Sequence, residues 1–281
     1  MDVTTAPLPT AVADYEVLHL LGAGAHGRCY LARPPVRLGL DEEVVVLKVL
    51  AGRAGERAFT RGVRALRAVC AAASPYVVRV FDAVWEDSVR EDVVYAMEYF
   101  PLGSLAAPAR PLARIEVLTA LEHAARAADD LHRAGIAHGG IHPGNVLLVE
   151  EPGGMLGGRL SDPGLARVLT PGAAVTATGR VEALAFSDPA LLTGAVPSRR
   201  TEVWALGATI HRALTGAGLY DEPLGPHPLD AIRQVLTTPP QVRPGLEPAE
   251  AAVVRACLAD GARLRSAADV ADGLAVLRSL P

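Results

Sequence analysis

The sequence predicts an α+β protein in two parts: a small antiparallel β lobe with one main helix, then a larger, mostly helical lobe. Three observations predict it. Alternating and β-branched runs crowd the first hundred residues. A single amphipathic helical period interrupts them at 56–72. Beyond the turn-rich PLGSL the chain becomes Ala- and Leu-rich with helical spacing.

In chain order, residues 1–13 carry Thr and Pro without periodicity and are expected as a flexible leader. YEVLHLLG alternates as a strand and ends on glycine, RCYLAR resumes strand character, and EVVVLKVL is a β-branched run. These are expected as consecutive antiparallel strands. Residues 56–72 space Phe59, Val63, Leu66, Val69 and Cys70 along one helical face. YVVRVFDAVWED and DVVYAMEYF predict two more strands. The small lobe is therefore placed at 14–98, a hinge at 99–104 and the large lobe at 105–281. In the large lobe, Ile115–Ala134 predicts a long helix, and NVLLVEE with GRLSD a hairpin around Pro152–Gly158. Residues 163–190 are expected as a long loop. VWALGATIHRALTG from Glu202 is helical, with Trp204 and Leu206 expected in the core; a proline-rich stretch and two short helices follow.

Composition removes several function classes. With 281 residues, 50% of them hydrophobic, the chain can bury a sizeable core. A net charge of −4 argues against phosphate-neutralising nucleic-acid binding. No apolar run approaches the roughly 18 residues a membrane span needs. MDVTTAPLPT lacks the apolar region of a signal peptide. Cys29, Cys70 and Cys257 are odd in number and far apart, which fits a reducing cytoplasm better than a disulfide framework.

One bias is more informative. Of 27 basic Lys/Arg residues, Lys48 is the only lysine, and Asn145 is the only asparagine, against an Ala/Gly/Val/Arg background of the kind a GC-rich genome produces. Arginine replaces lysine wherever a generic cation serves, so Lys48 marks a position that needs a compact ammonium. It lies in an apolar strand, where an unpaired buried charge is costly, so an anionic partner is expected.

Gly22-Ala-Gly24-Ala-His-Gly27 lies between two strands rather than before a helix, which excludes the dinucleotide-binding reading. It is either a hairpin whose N–H groups cover phosphates or an ordinary glycine-rich hairpin. His138-Gly139-Gly140-Ile141-His142-Pro143-Gly144-Asn145 precedes the large-lobe hairpin, and Ser161-Asp162-Pro163-Gly164 follows it. The hairpin thereby brings two oxygen donors, Asn145 and Asp162, within reach of one metal; each taken singly also suits a turn or cap.

Taken in order, these pieces resemble the protein-kinase fold, in particular bacterial Ser/Thr kinases of the eukaryotic type, over about residues 14 to 278. The resemblance implies roles residue by residue. Gly22, Gly24 and Gly27 would cover phosphates, and Lys48 would bind the α- and β-phosphates. Met97 would guard the adenine pocket, with Cys29 and Val46 lining it where valine and alanine are usual. Glu98 to Phe100 would form the hinge that meets adenine, and Leu147 would lie beneath the ring. Asn145 and Asp162 would hold Mg²⁺.

The departures are equally specific. Gly140 stands where the catalytic aspartate would accept the substrate hydroxyl's proton. Gly139 replaces the preceding arginine, which would normally sense modification of Thr170, Thr176 or Thr178. Gly62 replaces the helix glutamate that pairs with the strand lysine. His142 replaces the loop lysine, Ala183 the threonine of the substrate-binding stretch, and Glu202 the aspartate of the large-lobe helix. Ala190 and Leu264, flanked by Arg263 and Arg265, replace the two members of a buried ion pair. Such a paired replacement keeps a lobe stable where a single loss would strand a charge.

The expected function is an ATP/Mg²⁺-binding pseudokinase in the cytoplasm, acting through conformation or an unidentified protein partner, without nucleic acid and with no membrane segment in this chain. The chain is either complete or part of a longer, membrane-tethered protein. Two other expectations stand beside the first. One is a weak Ser/Thr kinase in which His142 or substrate positioning replaces the missing base. The other is a nucleotide-free scaffold.

Overall fold

The computed structural model describes residues 8–24, 27–50, 56–86, 92–162, 181–220, 224, 227–259 and 266–280. These divide into two compact units. One holds the described residues up to Arg67 together with Arg79–Tyr99; the other holds Ala68–Val78 and the described residues from Phe100 on. The α+β architecture, a small antiparallel sheet and a larger, mostly helical part, is the predicted one.

The first unit is a six-stranded sheet of β1 (Ala11–Val12), β2 (Tyr15–Gly24), β3 (Gly27–Arg33), β4 (Val45–Leu50), β5 (Val80–Glu86) and β6 (Asp92–Met97). The spatial order is β1-β2-β3-β4-β6-β5, with every pair antiparallel. The first three expected strands are neighbours in chain order, while β6 lies between β4 and β5, and β5 lies at the edge. Alternation decides the faces. Tyr30, Ala32, Val45, Leu47, Val94 and Ala96 point to one side and bury into this unit's core, joined by Tyr15 and by Val12 from the stretch expected as a leader. Helix α1 (Glu56–Ala71) follows β4, and its last turn, from Ala68, belongs to the second unit. The side chains of Phe59 and Trp85 lie outside the described residues, while Arg64 and Arg67 are exposed.

The second unit is organised on two helices. Helix α2 (Arg114–Arg133) buries Leu118, Leu121, Ala124, Ala128 and Leu131. Its small alanines let the hairpin of β9 (Val146–Glu150) and β10 (Leu156–Leu160) approach closely. A Cβ at Gly158 would lie 2.6 Å from the Ala120 carbonyl oxygen, so this strand position admits only glycine without a shift. The helix stops at Gly135, which takes the left-handed φ of 76°. Two-residue strands β7 (Gly103–Ser104) and β8 (Ala107–Pro108) complete the small sheet, in the order β10-β9-β7-β8.

Short helices α3 (Val181–Leu184) and α4 (Pro189–Leu192) occur in the second part of the expected 163–190 loop, whose residues 163–180 lie outside the description. Helix α5 (Arg199–Thr215) begins three residues before Glu202 because Ser198 caps it: the Ser198 Oγ accepts the Thr201 N–H at 3.3 Å. It is buried from Thr201 to His211 and packs on two sides, with Leu206 and Ile210 in one cluster and Trp204 and Ala208 in another. Three helices follow where two were expected: α6 (Pro228–Thr237), α7 (Pro248–Leu258) and α8 (Ala267–Ser279). Proline at the first helical position has no N–H to lose. Pro228 and Pro248 thus start helices inside a stretch whose composition suggests irregular chain. Leu264, Arg263 and Arg265 lie outside the described residues.

Candidate functional site

In the first unit the register places the expected site residues on one face of the sheet. Cys29 stands opposite Lys48, and Lys48 opposite Tyr95; Leu31 stands opposite Val46, and Val46 opposite Met97. Residues two apart on a strand share a face. Cys29, Val46, Lys48 and Met97 therefore lie on the face away from the Tyr30–Leu47–Ala96 core row. Val46 and Met97 are buried, while Cys29 and Lys48 are half-buried. Tyr95, opposite Lys48 and only 2% exposed, belongs to this face and was missed; its signal was the two-residue spacing to Met97.

The glycines divide into two kinds. Gly22 pairs with Cys29 and Gly24 with Gly27, so the motif is the β2–β3 hairpin that strand character demanded; its tip, 25–26, lies outside the description. Gly27 has φ 130°, and a Cβ there would fall 1.8 Å from the Val49 carbonyl oxygen. Glycine is required at that position by the approach of β3 to β4. A Cβ at Gly22 would meet nothing within 4 Å, so the space over it is open. Gly62 falls within α1. Glu98 follows β6, and its N–H donates to the Arg79 carbonyl at 3.0 Å.

In the second unit the hairpin joins the segments expected to hold metal. Val146 pairs with Leu160, and the Ser161 N–H donates to the Asn145 carbonyl at 2.8 Å. The Asn145 Nδ2 donates to the Gly140 carbonyl at 2.8 Å, which fixes the amide and leaves Oδ1 as its ligand atom. Asp162 takes φ 60°. Asparagine and aspartate tolerate this left-handed region better than most residues, and strain of this kind collects at functional sites. Two such oxygens suit Mg²⁺, which keeps waters and substrate phosphates as its other ligands. Among the described residues no group of three or more His, Cys, Asp or Glu could hold an ion alone. Leu147 is half-buried opposite Arg159, and Phe100 is buried, its carbonyl accepting the Gly103 N–H at 3.3 Å.

The loop between Ile136 and Asn145 is held from below by a buried network. The Glu202 carboxylate, from α5, accepts His132 Nε2–H at 2.6 Å and also the Gly139 N–H. Gly139 can offer that N–H with φ 73°, a conformation costly for arginine. His138 is fully buried and donates Nε2–H to the Ser161 carbonyl at 2.9 Å, tying the loop to the residue before Asp162. Burial raises the Glu202 pKa. The hydrogen bonds from His132 and the Gly139 N–H outweigh that, and the group is held below the usual carboxylate range. His132 was missed by sequence reasoning; its only signal was a histidine on the buried face of an alanine-rich helix.

Burial also lowers the pKa of His138, and of His123 and His211. A histidine whose folded pKa lies below its unfolded value of 6.5 leaves stability intact above that pH and erodes it below, because only the unfolded chain takes the proton. His138 alone contributes a slope of up to about 1.4 kcal/mol per pH unit. Melting temperature is expected to be flat from pH 8 to 7 and to fall steadily towards pH 5. A flat profile down to pH 5 contradicts neutral buried histidines.

His142 is the residue expected to substitute for the base. Its Nδ1 accepts the Gly144 N–H at 3.1 Å, and its ring lies 5.9 Å from that of Phe186. A neutral imidazole whose Nδ1 accepts carries its proton on Nε2. Gly140 presents no side chain, and a Cβ built there meets nothing closer than Asn145 Nδ2 at 3.6 Å.

A small antiparallel sheet and a larger, mostly helical unit, each as described, give a bilobal fold of the kinase class. The chain belongs to the protein kinase domain family, which matches it over residues 15–268. Among curated relatives it is 32% identical over 283 residues to the serine/threonine-protein kinase PknK of Mycobacterium tuberculosis, covering 97% of this chain and 24% of PknK. It is 31% identical over 256 residues to PknJ of the same organism, covering 88% of this chain and 42% of PknJ. It is 25% identical over 210 residues to PrkC of Bacillus subtilis, covering 74% of this chain and 31% of PrkC. The chain thus spans less than half the length of each of these relatives. Among the described residues no helix is long and apolar enough to cross a membrane.

Proposed function

We propose that this chain binds ATP with Mg²⁺ and acts through conformation or partner binding, with phosphotransfer absent or very weak. The observation that carries the reading is the pairing of retained binding groups with an empty base position. Lys48, Asn145 and Asp162 persist, the first two as the sole residues of their kind, while Gly140 offers no proton acceptor. Lys48 supplies a compact charge for phosphate, and the open space over Gly22 lets backbone N–H groups approach it. Asn145 Oδ1 and Asp162 would hold Mg²⁺, which would neutralise phosphate charge when bound. Met97, Val46, Cys29 and Leu147 would flank adenine, and the peptide groups of Glu98 to Phe100 would meet its edge. A cytoplasmic setting fits the three scattered cysteines.

The relatives' names favour a second reading, a weak Ser/Thr kinase, since positioning and electrostatics supply much of phosphoryl transfer. In that reading His142 or substrate positioning takes the place of the missing base, and serine or threonine hydroxyls are the acceptors. A thermal-shift titration tests the main reading against a nucleotide-free scaffold. ATP at 100 times its Kd is expected to add about 2.7 kcal/mol of stability. No shift with or without Mg²⁺ leaves the scaffold. Labelled phosphate reaching generic protein substrates, and lost in His142→Ala, favours the kinase.

A further inference from the structure

We propose that Arg79 is a positioning residue for nucleobase recognition, acting through Glu98; the inference rests on the nucleotide reading above. Glu98 is the first residue beyond β6, where the sheet ladder has ended at Met97. Arg79 holds it twice. The Arg79 carbonyl accepts the Glu98 N–H at 3.0 Å, and the Arg79 Nε lies 3.5 Å from Glu98 Oε2. The guanidinium is itself placed by two further partners. It stands 5.1 Å from the centroid of the Phe81 ring, and its NH2 group pairs with Glu42.

The sequence reason is local. The β5–β6 ladder is irregular between Val80 and Asp82, which leaves Phe81 as the extra residue of β5. An irregularity of this kind re-aims side chains, and here the re-aimed ring lies beneath a cation. Magnitudes decide what the cluster is for. Arg79 is 60% exposed and Glu98 32%, so their ion pair adds little to stability. Its remaining consequence is direction: it fixes the peptide groups at 98 and 99 that would face the base. A positioning role moves base affinity and leaves folding and phosphate affinity alone.

The experiment uses calorimetry with three probes, adenosine, ATP and inorganic tripolyphosphate, on the unaltered chain, Arg79→Ala, Glu98→Ala and the double variant. Arg79→Ala is expected to weaken adenosine and ATP by the same factor, about 5-fold. Tripolyphosphate binding should be unchanged, and melting temperature should move by less than about 2 °C. In the Glu98→Ala background the Arg79 change should add nothing further. Unchanged adenosine and ATP affinity in Arg79→Ala overturns the inference while leaving the nucleotide reading in place. So does an equal loss for tripolyphosphate, or full additivity with Glu98→Ala. An unaltered chain that binds neither adenosine nor ATP overturns the nucleotide reading and this inference together.

Discussion

Gly140→Asp is expected to raise phosphotransfer from ATP to serine or threonine peptides by roughly 100-fold or more, the lower bound of what a positioned proton acceptor contributes. The site accommodates the change. Gly140 has no left-handed φ, and the nearest atoms to a Cβ are Asn145 Nδ2 at 3.6 Å and His138 Nδ1 at 3.9 Å. A carboxylate there stands beside the amide that now holds the Gly140 carbonyl, and that amide is able to orient it. Gly140→Asn is the control, since it has nearly the same shape without the base. A gain in Asp and none in Asn assigns the defect to the missing acceptor. No gain in Asp, with ATP still bound, assigns it to Gly62 and the absent helix glutamate, and contradicts this part of the account.

Glu202→Ala is expected to destabilise the second unit by about 2–4 kcal/mol, the cost of leaving two donors without their acceptor. The carboxylate is 3% exposed, and its loss leaves His132 Nε2–H and the Gly139 N–H buried without acceptors. Both partners lie at the base of the loop that carries Gly140 and His142, so urea denaturation and loop function should fail together. Glu202→Gln keeps one acceptor oxygen and should lose less. A loss below about 1 kcal/mol in Glu202→Ala contradicts the network.

Much of this was legible in the sequence, and the physical reasons for the rest are specific. Alternation marked the start of β2, where one face is buried, and β-branched runs marked β4 and β6, which are largely buried on both faces. The single lysine and single asparagine stood out because a biased composition made chance placement improbable. Alternation carries no information about spatial order, so the position of β6 between β4 and β5 was invisible. Proline reads as a breaker, and its tolerance at the first helical turn hid α6. Side-chain networks across distant segments leave no periodic trace, which is why His132 escaped notice. Glycine spacing alone did not separate Gly27, required by the backbone of Val49, from Gly22, which faces open space.

The central claim is that a lone ammonium on a sheet face was kept to hold a metal-bound triphosphate. Calorimetry of ATP with and without Mg²⁺, on the unaltered chain and on Lys48→Met, tests it most directly. The account predicts saturable binding that Mg²⁺ tightens and that Lys48→Met weakens by roughly 10- to 100-fold, the scale of a lost charge-assisted hydrogen bond. No binding by the unaltered chain, or equal affinity in both proteins, contradicts it.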